Sequence, residues 1–183
     1  MTNEYCPRPH LDFGLIQVYT GDGKGKTTAA LGQALRAAGR GLKVFMAQFM
    51  KGQQTGELLI APKLSPQLVI KQYGSGEFII GREPSAEEQA LAQMALFEFK
   101  EALHSGEYDI LILDEISHAI QLGLVGLKDV LGMLKRRPNY VELILTGSGM
   151  PKEIIRHADL VTEMIAVKHP YEQGIEARMG IEF

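Results

Sequence analysis

Cysteine occurs once in the chain, at Cys6. One thiol cannot close a disulfide within the chain, and such usage suits a reducing compartment. A basic excess is missing as well: 19 Lys and Arg stand against 22 Asp and Glu, a net charge of −3. Nucleic acid is therefore not the expected partner, because phosphate-backbone binders carry positive charge. Long apolar runs are absent too. The densest, Ile110 to Leu113, is strand-sized, far short of the roughly 20 residues that span a bilayer. Glu4, Pro7, Pro9 and Asp12 interrupt the first 13 residues, which lack the apolar core of a secretory signal. The expectation is a cytoplasmic protein that engages no membrane.

What is present is a regular alternation. Its 183 residues suit one domain with a sizeable core. Residues 1–13 read as a flexible arm, with Pro7 and Pro9 opposing regular structure, and 14–183 as a single domain. Strands are predicted at 15–19, 43–49, 67–73, 108–113, 141–145 and 160–167. Helices are predicted at 26–38, 85–104, 126–137 and 151–157. Ser85 and Glu88 have the spacing of a capping box. The βα alternation points to an α/β fold, a mostly parallel, doubly wound sheet with helices on both faces. Residues 52–56 and 74–84 are the loops long enough to carry function.

The first strand runs into Thr20-Gly21-Asp22-Gly23-Lys24-Gly25-Lys26-Thr27-Thr28, and a helix follows at once. Glycines let a backbone curl so that successive N–H groups face an anion. The helix N-terminus adds positive potential, and Lys26 adds a full charge. The Thr27 hydroxyl stands where such loops bind magnesium. The usual spacing would put a glycine at 20; here it is Thr20, and the glycine is displaced to Gly21. A glycine-rich turn that binds nothing is the bland alternative, and Gly-Lys-Thr-Thr at a helix start after an apolar strand argues against it.

A second element is the apolar strand that ends in Asp114-Glu115. It brings two carboxylates to the C-terminal edge of the sheet, where open α/β folds bind ligands. Hard oxygen ligands there suit magnesium alongside phosphates; serving as helix cap and dipole partner is the plainer alternative. Arg36, on the first helix, is a candidate phosphate contact or a solvated residue. Lys168 and Arg178 are candidates for the nucleotide pocket or for surface charge. Tyr73 and Phe78 flank a glycine-rich loop and offer either an apolar ligand face or core anchoring. His169 follows a strand end, and the five histidines share no metal-site spacing.

A phosphate loop alone does not say where a bond breaks. A kinase is attacked at the terminal phosphorus, an alkyl transferase at carbon with triphosphate leaving, and both need the same stabilisation of phosphate oxygens. Small-molecule or nucleoside kinase and non-catalytic ATP-binding module both stay open at this level. A kinase usually has a basic lid, and 74–84 holds only Arg82.

Several segments together resemble the ATP:corrinoid adenosyltransferases. They are 18–30 around the loop, Ala34 to Gly39, Gln48-Phe49-Met50-Lys51-Gly52, Leu113-Asp114-Glu115-Ile116, Arg137-Pro138 and Thr146-Gly147. Ala158 to Met164, Lys168-His169-Pro170 and the tail 174–182 complete the match. The displaced glycine is part of that likeness, since the family loop also reads Thr-Gly-x-Gly-Lys-Gly-Lys-Thr-Thr. The resemblance implies a RecA-like P-loop fold, usually a homodimer. It implies transfer of the 5′-deoxyadenosyl group of ATP to the Co(I) centre of cob(I)alamin or a related corrinoid. An electron-donating reductase prepares that corrinoid, and inorganic triphosphate leaves. The cobalt is the nucleophile, so no protein nucleophile is needed. Carried over, residues Thr20 to Thr28 meet the phosphates, with Arg36 as an extra contact. Lys26 compensates charge, and Thr27 and Glu115, then Asp114, hold Mg2+. Two departures stand out. Some relatives have a Gly-Phe-Thr-Trp stretch against the corrinoid where this tryptophan-free chain offers Phe78, and Ser148 stands where Arg is frequent.

Overall fold

The computed structural model describes residues 11–77, 79 and 81–183. Phe78 and residues 1–10 of the expected arm lie outside the described residues. The elements run β1 (Ile16–Thr20), α1 (Lys26–Ala38), β2 (Val44–Phe49), α2 (Gly56–Ile60), β3 (Leu68–Tyr73), α3 (Ala86–His104) and β4 (Ile110–Asp114). Then come α4 (Ile116–Gln121), α5 (Leu127–Arg136), β5 (Glu142–Thr146), α6 (Lys152–Ile155) and β6 (Leu160–Glu163). The six strands form one sheet in the order β3-β2-β4-β5-β1-β6, and every pairing is parallel.

Side chains alternate across each strand, and that period of two builds two cores from one sheet. Phe45, Ala47, Leu111, Leu113, Leu143 and Leu145 face α3, α4, α5 and α6. Val44, Met46, Ile110, Ile112 and Ile144 face α1, which packs through Ala30, Ala34 and Ala37. Alanines let α1 lie close to the sheet. The same alternation turns Gln48, Asp114 and Thr146, each two residues beyond an α1-facing core position, toward the start of α1. These are the last polar residues of a buried sheet, and the register sets Gln48 opposite Asp114 and Leu145 opposite Leu113.

The capping box of α3 is complete. Ser85 Oγ accepts from Glu88 N, and the Glu88 carboxylate accepts from Ser85 N. Glu88 is buried and also takes two bonds of 2.7 Å from Arg82, an exchange that holds its carboxyl down to about 2. Arg82 is thereby spent on the entry to α3. Two short helices escape the periodicity of the sequence. α2 has five residues, is followed by a tight turn over Ala61–Leu64, and is too short to show an amphipathic stripe. α4 starts directly after the β4 carboxylates. β6 stops at Glu163, short of the expected 167. Beyond it the chain is redirected: Met164 N still donates to Thr20 O, but Met164 O accepts from Gly23 N at 2.7 Å.

Replacing Ser85 with Ala removes one half of the capping box. The expected loss is about 1 kcal/mol, read as a lower urea midpoint at unchanged denaturant slope.

Candidate functional site

Thr20 is the last residue of β1, and its hydroxyl is buried. It donates to Gly147 O at 2.9 Å and accepts from Met150 N at 3.3 Å, which ties β1 to the turn after β5. That explains the displaced glycine: position 20 holds a strand end, and the backbone first turns to positive φ, +94°, at Gly21. A Cβ at Gly21 would stand 2.3 Å from Met164 O, and one at Gly23 2.7 Å from the Ile165 carbonyl carbon. The chain leaving β6 is thus the floor of the loop. Ser148 Oγ donates to Gly21 O at 2.8 Å, so the residue that replaces a frequent arginine props the loop from the side.

α1 begins without a side-chain cap, which leaves its first N–H groups facing the loop mouth. Lys26 is buried and donates to Gly21 O and Gly23 O, both at 2.8 Å. An ammonium has three donors, so one remains for an incoming anion. Thr27 donates to Asp114 Oδ1 at 2.8 Å.

Asp114 has no exposed surface, so its charge must be matched by donors. Thr27 and Thr146 (2.7 Å) share Oδ1, while Lys51 (2.8 Å) and Gln48 (3.2 Å) share Oδ2. Its carboxylate is saturated by protein. Glu115 is different. It adopts a left-handed conformation, φ 62°, with its N–H bonded to Thr146 Oγ1 at 2.9 Å, and it faces the cavity. Among the described residues the one other non-glycine with positive φ is Met50, at the end of β2, and it too lines the cavity. Backbone strain of this kind collects at functional sites. One Glu115 oxygen accepts from His118 Nδ1 at 2.6 Å. That bond raises the His118 pKa above its ordinary 6.5, with burial opposing.

The cavity beside the loop measures about 590 Å³, within the usual range of small-molecule sites. Its walls are Thr27, Thr28 and Leu31 of α1, residues 50–53 and 55–57, Gly76 and Glu77, Glu115, and 180–183. Of the candidate residues, the structure brings together Thr20 to Thr28, Asp114 and Glu115. Asp22 is exposed, and Lys24 turns to Glu182 at 2.7 Å. Arg36 is not brought in: it lies about 15 Å along α1 from Lys26 at the helical rise, exposed and bonded to Gln33. Tyr73 is buried in the core with its hydroxyl on Glu98, and Tyr73 is pushed above the normal tyrosine range by that burial and then by Glu98. His169 accepts from Tyr171 N, and Arg178 pairs with Glu182.

Residues 12–183 match the model of a family described as ATP:corrinoid adenosyltransferase BtuR/CobO/CobP. The corrinoid adenosyltransferase of Escherichia coli K12 is 35% identical over 93% of this chain and 86% of its own length. The corrinoid adenosyltransferase CobA of Salmonella typhimurium is 37% identical over the same shares. The chain belongs to the ATP:corrinoid adenosyltransferase family. Among solved structures, the RadB recombinase has a TM-score of 0.52 at 16% identity, covering 87% of this chain and 78% of that one. The flagellar accessory protein FlaH of Methanocaldococcus jannaschii has 0.54 at 18%, covering 85% and 72%. Those two establish a RecA-like α/β fold and nothing further.

For a corrinoid adenosyltransferase, the residues that motif reading overlooks are Lys51, Gln48, Thr146 and Ser148. The first three surround Asp114 and the last supports Gly21. The first three signal themselves in the sequence only through the Gln48–Gly52 and Thr146–Gly147 segments, which carry the likeness without any stated role, and Ser148 only as a departure from it.

Two measurements check this geometry. Thr20→Gly restores the common glycine spacing yet removes two buried bonds from a strand end. We expect it to lose roughly 2 kcal/mol in denaturant unfolding; equal or greater stability would show that the hydroxyl is idle. An NMR titration of the metal-free protein should place His118 above 6.5, and Glu115→Gln should bring it down. Since the folded pKa is raised, the ion pair stabilises fully below 6.5 and fades as pH climbs through the folded value.

Proposed function

We propose that this protein transfers the 5′-deoxyadenosyl group of ATP to the Co(I) centre of a reduced corrinoid, releasing inorganic triphosphate. The observation that carries the reading is a single cavity bounded both by the start of α1 and by Glu115, in a chain whose family match spans 12–183. The cobalt electron pair forms the Co–C5′ bond, and the C5′–O bond breaks with its own bonding pair departing on the triphosphate oxygen. No side-chain nucleophile takes part. The chain's own task is to align C5′ and to stabilise the leaving group.

Residues Gly21 to Thr28 would take the triphosphate on main-chain N–H groups other than that of Gly23, which donates to Met164 O, with the third donor of Lys26 inside the curl. The donor set also fits magnesium, a hard ion that takes one or two carboxylates plus phosphates and water. Thr27 and Glu115 would hold it, and Asp114, already saturated, would orient Thr27 from behind. When bound, the ion supplies Lewis-acid neutralisation of the triphosphate charge. A homodimer, a cytoplasmic setting and a separate reductase belong to the same proposal. No described helix is long and apolar enough to cross a membrane. A kinase reading is not favoured, since the relatives named above are adenosyltransferases.

The test is the spectral change of a chemically reduced corrinoid mixed with enzyme and magnesium–ATP, with the phosphate product identified. Adenosylcorrinoid and inorganic triphosphate in equal amounts are expected; ADP would point to phosphoryl transfer. Lys26→Ala should lower turnover at least about 100-fold while the fold persists, and Glu115→Gln should raise the magnesium concentration needed for half-maximal rate. An unchanged metal titration removes Glu115 from the site.

A further inference from the structure

Residues 178–183 are clamped against the phosphate loop, and the proposed chemistry gives them no task. The Glu182 carboxylate accepts from Lys24 Nζ at 2.7 Å, from Arg178 N at 2.7 Å, and from Arg178 Nε and Nη2 at 3.2 and 3.1 Å. Lys24 also donates to Ile181 O, and Gly180 N closes the turn on Phe183 O at 2.7 Å. Arg178 first, then Lys24, holds the Glu182 carboxyl down to about 2, so it is charged at any working pH. This turn forms one cavity wall from Gly180 to Phe183.

The chemistry of that wall differs from the others. Thr27, Thr28 and Glu115 suit phosphate and a cation. Phe183, with Leu31, Met50 and Ile181, gives the same cavity an apolar stripe. Phe183 is the single aromatic lining it among the described residues, and at 39% exposed it is not buried in the core. Both substrates of the proposed reaction carry a flat conjugated ring that a polar cavity would otherwise leave without a surface.

We propose that Phe183 is the face on which a substrate's conjugated ring system lies. Glu182 is a positioning residue that holds the turn in place through Lys24. The inference rests on the functional reading above. Its ligand chemistry is a planar ring of either source, the purine of ATP or the corrin macrocycle.

The test titrates the purified full chain calorimetrically with three probes: magnesium tripolyphosphate, magnesium–ATP and hydroxocobalamin. In Phe183→Ala, tripolyphosphate affinity should stay within about two-fold of wild type, while one ring-bearing probe weakens about ten-fold. Loss confined to ATP assigns the purine, and loss confined to hydroxocobalamin the corrin. Phe183→Tyr should retain binding. Phe183→Leu, which keeps apolar bulk without the π face, should show an intermediate loss and serves if the alanine variant misfolds. Glu182→Gln should weaken the same probe and speed tryptic cleavage after Arg178. Equal binding of all three probes by the alanine or leucine variant overturns the proposal, as does a tripolyphosphate loss that matches the ATP loss. A wild-type protein that never adenosylates reduced corrinoid, yet binds ATP through Phe183, sinks the functional reading and leaves a purine contact. Normal adenosylation with Phe183 indifferent sinks the inference alone.

Discussion

A carboxylate with no exposed surface sits where β4 ends, and the surrounding chain is arranged to keep its charge satisfied. Asp114 draws Thr27 from the first turn of α1, Gln48 from β2, Lys51 from just beyond it, and Thr146 from β5. An unpaired charge at that depth would be far too costly to keep. The four bonds therefore fix the start of α1, and with it the phosphate loop, relative to three strands. β5 lies between β4 and β1, so Thr146 bridges a gap that Asp114 could not span alone. Because all four oxygen lone-pair directions are used inside the protein, it is the neighbouring Glu115, and not Asp114, that lines the cavity at the end of β4.

The strand ends near this carboxylate are strained in a way that serves it. Glu115 turns left-handed directly after Asp114, and Met50 does so after β2. Each turn stops the strand abruptly, and the one at Met50 carries the following segment along the cavity wall. Lys51 can then reach back to Asp114. Chemistry that asks for no protein nucleophile needs this kind of construction, in which fixed donors and a shaped cavity replace a reactive side chain.

Much of the fold is legible in the sequence, for identifiable reasons. β2, β4 and β5 are wholly buried, so their apolar runs were unambiguous, and Ser85 with Glu88 marks the start of α3 by a purely local pair of bonds. The phosphate loop was equally plain, since glycines, a lysine and a helix start are contiguous. What could not be read depends on distance along the chain. Lys51 lies 63 residues from Asp114, Thr146 lies 32 from it, and Ser148 lies 127 from Gly21. Nothing in a local pattern announces such partners. β6 was overrun because its apolar residues continue to Val167, although the backbone beyond Glu163 has been redirected beneath the loop. Arg36 looked useful from its place on α1, but three turns of helix carry it away from the loop.

β6 is an edge strand, and all four of its residues are solvent-exposed, so it belongs to the weakly protected part of the sheet. Yet Met164 and Ile165, which continue it, form the floor under Gly21 and Gly23. Fraying at this rim would withdraw the bed on which the anion cradle rests, and a ligand gripping the cradle would in turn hold the rim closed. A ligand held in the cradle is therefore expected to slow amide exchange along β6, the strand paired directly with β1.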